Sequence, residues 1–173
     1  MLAMKPPAIS GVSPSKEVVI MTLYPSIAAT GPGCIIGSLL DCIPLKIMGI
    51  KLSQLLFGPV VIPFALLGYF SMKLTGAKYE LTNRAIQKRA ALGDRLFSQV
   101  LLAAIEDVVI VQQSGQAFYP AGDLHIVDKS GKTLLTLEGV PRPDVFRQTI
   151  LEARDASKYT AASLATINAR HKS

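Results

Sequence analysis

The hydrophobic pattern of the chain changes sharply near residue 76. Residues 52–72 contain no Asp, Glu, Lys, Arg or His, and a lysine stands at each end, Lys51 and Lys73. An uncharged, apolar helix of this length spans the ~30 Å hydrocarbon core of a bilayer at ~1.5 Å per residue. Beyond residue 76 apolar and polar residues alternate with a period of two, which is typical of strands with one buried face. The pattern therefore predicts a membrane-spanning helix followed by a small β-rich domain.

A shorter apolar segment, residues 27–40, precedes this helix and contains Gly-Pro-Gly at residues 31–33. Extended to residue 43, it is long enough to cross as a tilted or locally thinned span. With the short connection at residues 41–51, the pattern predicts a two-helix transmembrane hairpin. A re-entrant or interfacial first segment is the alternative. Residues 18–23, just before it, are predicted as a strand or as the approach to the membrane.

Turn signals divide the C-terminal domain into short strands. Thr-Asn-Arg at residues 82–84 and Asp-Lys-Ser-Gly at residues 128–131 are typical of tight turns. Residues 100–111 are rich in aliphatic side chains around Glu-Asp, which predicts two strands that meet at a bend. The Pro- and Gly-containing residues 139–143 are predicted to end the sheet.

A helix is predicted to begin at Asp144, with Phe146, Ile150 and Ala153 on one face. Short strands closed by one helix indicate an α+β protein with a small antiparallel barrel or sandwich. The predicted organisation is a flexible leader (residues 1–17), a membrane hairpin (18–75), a β-rich domain (76–156) and a C-terminal tail or helix extension (157–173).

The charge distribution refines this picture. The chain has a net charge of +6, with 50% hydrophobic and 17% charged residues. Its positive charge is concentrated directly after the apolar segment, where residues 73–95 hold six basic and two acidic side chains. By the positive-inside rule, this places the C-terminal domain in the cytoplasm. Five of these basic residues are candidates for contact with anionic lipid head groups: Lys73, Lys78, Arg84, Lys88 and Arg89. The alternative is that the basic residues only determine the membrane topology.

Other candidate chemistry is weak. Gly131-Lys132-Thr133 resembles the end of a phosphate-binding loop, but position 126 is Ile where that motif needs Gly. Glu106 and Asp107 are adjacent, so on a strand they point to opposite faces and do not share a substrate. Asp123 is predicted to order a turn. No spacing indicates a catalytic centre, a metal site or a cofactor, and no aromatic-interleaved basic run or recognition helix indicates nucleic acid binding.

Gly33 and Gly37 form a small-xxx-small pattern, which lets two helices approach closely. The sequence predicts that they pack the chain's own hairpin or, alternatively, that they form an oligomer.

Several segments together resemble bacterial membrane proteins that carry a pleckstrin-homology-like (PH-like) domain after a transmembrane hairpin. The resemblance rests on residues 17–20 with Pro25-Ser26, residues 78–84, residues 105–108, residues 121–124, and residues 137–140 with Pro143 and Phe146. The chain departs from the family at Ala85, where a second basic residue is common. The resemblance implies a seven-stranded bent barrel capped by a C-terminal helix, no enzymatic activity, and an open choice of ligand.

The sequence therefore predicts an integral protein of the bacterial inner membrane with a cytoplasmic PH-like domain that serves binding or assembly. The first alternative is a sensor of anionic lipid head groups. The second is an accessory subunit of a larger membrane complex. The expected partners are the lipid bilayer and a second copy of the chain or another membrane protein, with no nucleic acid and no cofactor.

Overall fold

The computed structural model describes residues 17–47 and 49–170. Residues 1–16 of the predicted leader therefore lie outside the described residues. The protein is a mixed α+β structure with antiparallel sheets. Its strands are β1 (Val19–Leu23), β2 (Lys46–Ile47), β3 (Ile50–Lys51), β4 (Ala77–Thr82), β5 (Ala85–Ala90), β6 (Leu96–Leu101), β7 (Asp107–Val111), β8 (Ala121–Val127) and β9 (Thr133–Pro141). Its helices are α1 (Gly31–Asp41), α2 (Leu52–Thr75) and α3 (Pro143–Arg170), with 3-10 turns at Ile27–Ala29 and Leu102–Ala104.

The first sheet has four strands in the order β1-β4-β5-β6. Its β4–β5 connection is the predicted Thr-Asn-Arg turn, in which the Thr82 hydroxyl bonds both the amide and the carbonyl of Ala85 at 2.9 Å. The edge strand β1 precedes the helices in sequence and pairs antiparallel with β4, Leu23 standing opposite Tyr79. The strand interpretation of residues 18–23 is confirmed, and strand pairing extends across the predicted domain boundary at residue 76.

The second sheet has three strands in the order β7-β8-β9. Asp128 orders the β8–β9 turn, because its carboxylate accepts bonds from the amides of Ser130 and Lys132. The predicted end of the sheet within residues 139–143 is confirmed, since β9 ends at Pro141, opposite Ala121, and α3 begins at Pro143. Gly139 adopts a positive φ of 59° where the register shifts, and so makes a bulge within the strand.

The hydrophobic core lies between the two sheets and α3. Phe146 and Ile150 are fully buried in it and Ala153 is partly buried, as the helical pattern predicted. The other end of α3 reaches Arg170, beyond residue 156, where the predicted β-rich domain ends. Neither sheet is closed into a barrel.

Helix α3 also covers the free edge of β7. The Arg147 Nε donates to the carbonyl of Val108 at 2.6 Å, and the Arg154 guanidinium donates to the carbonyl of Glu106. These side chains occupy acceptors that an incoming strand would otherwise use.

The two helices of the predicted hairpin differ greatly in length. α1 has 11 residues, or ~16 Å, which is short of a ~30 Å hydrocarbon core. α2 has 24 residues, and in the part of the chain that the structure describes it is the one helix long and apolar enough to cross a membrane. A hairpin that spans the membrane twice is therefore not confirmed, and the length of α1 fits the interfacial or re-entrant alternative.

The helices are held to each other near their connection. An ion pair joins Lys51 to Asp41, and the buried Ser53 hydroxyl donates to the Leu40 carbonyl at 2.7 Å. α1 begins at a threonine cap, where the Thr30 hydroxyl accepts a bond from the Gly33 amide.

Candidate functional site

The surface of α2 is apolar and uncovered. Along this helix only Ser53 and Gly58 are buried, whereas leucines and phenylalanines on several sides are exposed, Leu67 to 69%. A soluble protein normally covers so extended an apolar surface. This helix therefore needs either lipid or another protein around it.

The predicted lipid-contact residues do not form one basic patch. Lys73 lies in the last turn of α2, and its ammonium stands 5.7 Å from the centroid of the Tyr69 ring. Arg84 lies in the β4–β5 turn, where its carbonyl accepts a bond from the Leu102 amide. The other three residues lie on β4 and β5.

Lys78 and Arg89 are brought together, but with acids between them. They face each other across β4 and β5, Lys78 pairs with Glu80 at 2.8 Å and with Asp94 at 2.6 Å, and Arg89 pairs with the same two carboxylates. Bonds to Asp94 and Glu80 raise the pKa of Lys78 to about 12. The bond from Lys78 lowers the pKa of Asp94. The four charges largely cancel, so this face offers little net positive potential.

Lys88 points to the opposite face from Arg89, as expected for neighbours on a strand. Its ammonium lies 6.0 Å from the centre of the buried Tyr79 ring and 3.8 Å from the Glu138 carboxylate. Tyr79 exchanges two bonds of 3.0 Å with the backbone of Glu138, and burial raises the pKa of its hydroxyl.

Gly33 and Gly37 both lie at close approaches of backbone. A Cβ on Gly33 would stand 1.9 Å from the carbonyl oxygen of Ile27, and a Cβ on Gly37 would stand 2.2 Å from that of Gly115. Gly37 thus packs α1 against the loop between β7 and β8, which the sequence did not indicate as its neighbour.

The buried carboxylate of Asp123 organises this same junction. It accepts bonds from the Gln113 amide at 2.6 Å, from the Gln116 amide at 2.8 Å and from the Gly139 backbone at 2.8 Å. The sequence predicted that Asp123 orders a turn beside Gly122, but both residues lie within β8, and Asp123 instead organises the preceding β7–β8 loop. The two glutamines were missed, because a polar loop residue gives no sequence signal of the buried acid it contacts.

The Gln116 amide also lies 3.4 Å from the carbonyl of Ala28, in the 3-10 turn before α1. Strand β9 also bonds this segment, since the Gly139 carbonyl accepts a hydrogen bond from the Ser26 amide at 2.8 Å. The segment that leads into α1 is therefore bonded directly to the β-rich domain.

An apolar groove of about 490 Å³ separates α2 from the domain. One wall is formed by α2 and consists of Ile62, Ala65, Leu66 and Tyr69. The opposite wall includes Tyr24, Ile27, Tyr119 and Pro141. A smaller groove of about 310 Å³ lies on the other side of Ala65, between α2 and α1.

The weaker motifs have structural roles. The turn interpretation of Gly131-Lys132-Thr133 is confirmed, because Thr133 begins β9. Asp107 accepts bonds from the Val108 amide at 2.7 Å and from Arg147 at 3.1 Å, which lower the pKa of its carboxyl in that order. Within residues 17–47 and 49–170, no three His, Cys, Asp or Glu side chains are grouped as metal ligands would be.

Comparison of the chain with protein-family models, with curated proteins and with solved structures finds no match.

Proposed function

We propose that this protein is a membrane-anchored, non-catalytic binding or assembly module whose soluble domain is PH-like. The observation that carries the proposal is α2, a 24-residue apolar helix whose surface the rest of the described chain leaves exposed. Insertion into a bilayer removes that surface from water, at ~25 cal/mol for each Å².

The PH-like assignment is supported by the arrangement of the strands. Seven strands form sheets of four and three, with α3 packed against β7 and β8. This is the strand count and the capping helix that the family resemblance implies. In this proposal α1 and α2 are an insertion between the first and second of the seven strands.

The proposed orientation places the domain in the cytoplasm of a bacterium, at the inner membrane. Its support is the charge asymmetry across α2, with six basic side chains in residues 73–95. A non-catalytic role is supported by the use of acidic side chains in structural bonds, as at Asp123 and Asp107.

A fractionation experiment tests the anchor. The full chain should remain in the membrane pellet after an alkaline wash, and a Val60→Arg/Leu67→Arg double variant should be released to a large extent. One arginine near the bilayer centre costs ~2.5–3.5 kcal/mol on insertion scales. Leu92→Arg, at a leucine that is 75% exposed in the β5–β6 turn, is the control and should stay in the pellet. A wild-type chain that is washed off would contradict the anchor.

An accessory subunit of a larger membrane complex is a second candidate, favoured by one surface. Phe97 and Leu101 are more than half exposed on the edge strand β6, on the same side of the strand. Exposed apolar side chains beside an open strand edge are typical of protein contacts.

Purification in mild detergent separates the second candidate from a protein that works alone. The wild-type chain should carry a stoichiometric protein partner, which Phe97→Arg should lose. Val109→Arg, at an exposed apolar position on β7 in the other sheet, should retain it. A partner lost equally from both variants, or absent from the wild type, would contradict the accessory-subunit reading.

A further inference from the structure

The groove between α2 and the domain follows the helix in the direction that a lipid chain would take. Its α2 wall runs from Ile62 to Tyr69, a distance of ~10 Å along the helix axis. The volume of about 490 Å³ lies within the ~300–1,000 Å³ typical of ligand sites. The groove therefore runs along the apolar helix.

The walls are mostly apolar on both sides, and their polar residues are Ser26 and three tyrosines. Ile62, Ala65 and Leu66 on α2 stand opposite Ile27 and Pro141 of the domain side. The α2 wall continues without a charged residue into the exposed surface of that helix. An occupant that enters from a surrounding bilayer would therefore cross no polar barrier.

A positive charge, Lys73, lies at one end of the groove, where α2 approaches β4. The Lys73 ammonium lies over the ring of Tyr69, one helical turn beyond the last groove residue on α2. Among the described residues no ion pair involves Lys73, whereas Lys78 has two. The groove thus combines an apolar trough with a cation at one end.

We propose that this groove holds one acyl chain of an anionic phospholipid, with the phosphate beside Lys73. The inference rests on the proposed membrane anchoring by α2, because the lipid enters from the bilayer around that helix. Tyr24 and Tyr69 line the groove on its two walls, and the Lys73 ammonium lies over the Tyr69 ring, towards the domain-proximal end of α2. The bound lipid fills the gap between anchor and domain, and its charge complements Lys73.

The absence of tryptophan from the chain allows a direct test. Single tryptophans are introduced into the full-length protein at three positions and the variants are reconstituted in bilayers. Tyr24→Trp reports on the groove and Leu67→Trp reports on α2 outside the groove. Tyr159→Trp, the same substitution at a residue 75% exposed on α3, reports on the domain away from both.

The probe is a phospholipid with bromine atoms on its acyl chain, added as a minor component to unbrominated zwitterionic lipid. It is used in two forms, phosphatidylglycerol and phosphatidylcholine, so that only the head-group charge differs. The fluorescence of Tyr24→Trp should be quenched about fivefold more effectively by the anionic form, the factor that one basic residue near the surface provides. Leu67→Trp should be quenched equally by both forms, and Tyr159→Trp by neither.

Lys73→Gln in the Tyr24→Trp background should remove the preference for the anionic form. Two results would overturn the lipid site and leave the anchor intact. One is equal quenching of Tyr24→Trp by the two forms of the lipid. The other is no quenching of Tyr24→Trp while Leu67→Trp is still quenched. Absence of quenching at Leu67→Trp would overturn the anchor and this inference together. If Tyr24→Trp does not fold, Leu66→Trp on the opposite wall replaces it, and the same anionic preference is required.

Discussion

Gly37 of α1 lies against the backbone carbonyl of Gly115 in the β7–β8 loop, with the ring of Tyr119 packed beside the same contact. Gly115 has a positive φ of 86°, which a side chain rarely adopts, and a Cβ there would stand 2.0 Å from the carbonyl oxygen of Cys34. Both glycines are therefore required by one contact. That contact attaches the first helix to the domain.

Gly37→Ala should destabilise the full-length protein by ~1–3 kcal/mol, because the added methyl group meets backbone that has little freedom to move. The measurement is thermal unfolding in detergent, followed by circular dichroism. Gly68→Ala, on α2 where a Cβ meets nothing within 4 Å, is the matched control and should be neutral or slightly stabilising. Equal effects of the two substitutions would contradict the contact.

The ion pairs among Lys78, Arg89, Glu80 and Asp94 should contribute to stability mainly through Glu80. Glu80→Gln removes the less exposed of the two carboxylates that Lys78 and Arg89 share, with a side chain only 12% exposed, and should cost ~1.5–3 kcal/mol. Glu138→Gln is the control, since that side chain is 55% exposed and 3.8 Å from Lys88, so the expected loss is ~0–1 kcal/mol. Chemical denaturation of both variants measures the loss in free energy of unfolding. A loss from Glu138→Gln as large as that from Glu80→Gln would contradict the role of Glu80.

Local features of this fold could be predicted from the sequence, and distant contacts could not. The turns at residues 82–84 and 128–131 were predicted because Thr, Asn, Asp and Gly favour turns through bonds within a few residues. The pairing of β1 with β4 joins strands that are separated by both helices, and no periodicity encodes it. The same limit applies to the candidate site: Lys73 could be placed at the end of α2, but the ion-pair partners of Lys78 and Arg89 depend on which strands meet.

Asp123→Ala should destabilise the junction by at least ~2 kcal/mol, because it leaves the side-chain amides of Gln113 and Gln116 and the backbone amide of Gly139 without their acceptor. Hydrogen exchange should show faster opening of residues 112–120. Asp128→Ala removes bonds in an exposed turn and should cost about 1 kcal/mol or less. Unchanged exchange in the loop would show that the carboxylate does not organise it.

The buried Tyr79 and the half-buried Tyr119 should respond differently to loss of the side-chain hydroxyl. Among the described residues the Tyr119 hydroxyl is buried without a hydrogen-bond partner, and burial raises its pKa. Tyr119→Phe should therefore be neutral or stabilising by up to ~1 kcal/mol. Tyr79→Phe removes two bonds to Glu138 and should destabilise by ~1–2 kcal/mol. Unfolding curves of the two variants measure these changes in stability. A clear loss of stability in Tyr119→Phe would reveal a hydrogen-bond partner of the Tyr119 hydroxyl.

Asp107 should contribute to stability only above acidic pH. The Val108 amide and Arg147 lower the pKa of its carboxyl in the folded protein. This contribution is fully present above the unfolded value of ~3.9 and is lost as the pH falls through the folded value. The difference in stability between the wild type and Asp107→Asn should therefore shrink below about pH 4. A carboxyl titration by NMR with a midpoint at or above ~3.9 would contradict the assignment.

The pairing of β1 with β4 imposes an order of events during synthesis. β1 leaves the ribosome first, yet its hydrogen-bonding partner follows only after residues 24–76 have been made. At ~5–20 residues per second this delay is several seconds, far longer than hairpin formation at ~1–10 μs. The β4–β5 hairpin can therefore form before β1 docks on it. β1 must therefore stay unpaired while α2 is synthesised, so the four-stranded sheet is completed only after that apolar helix has been made.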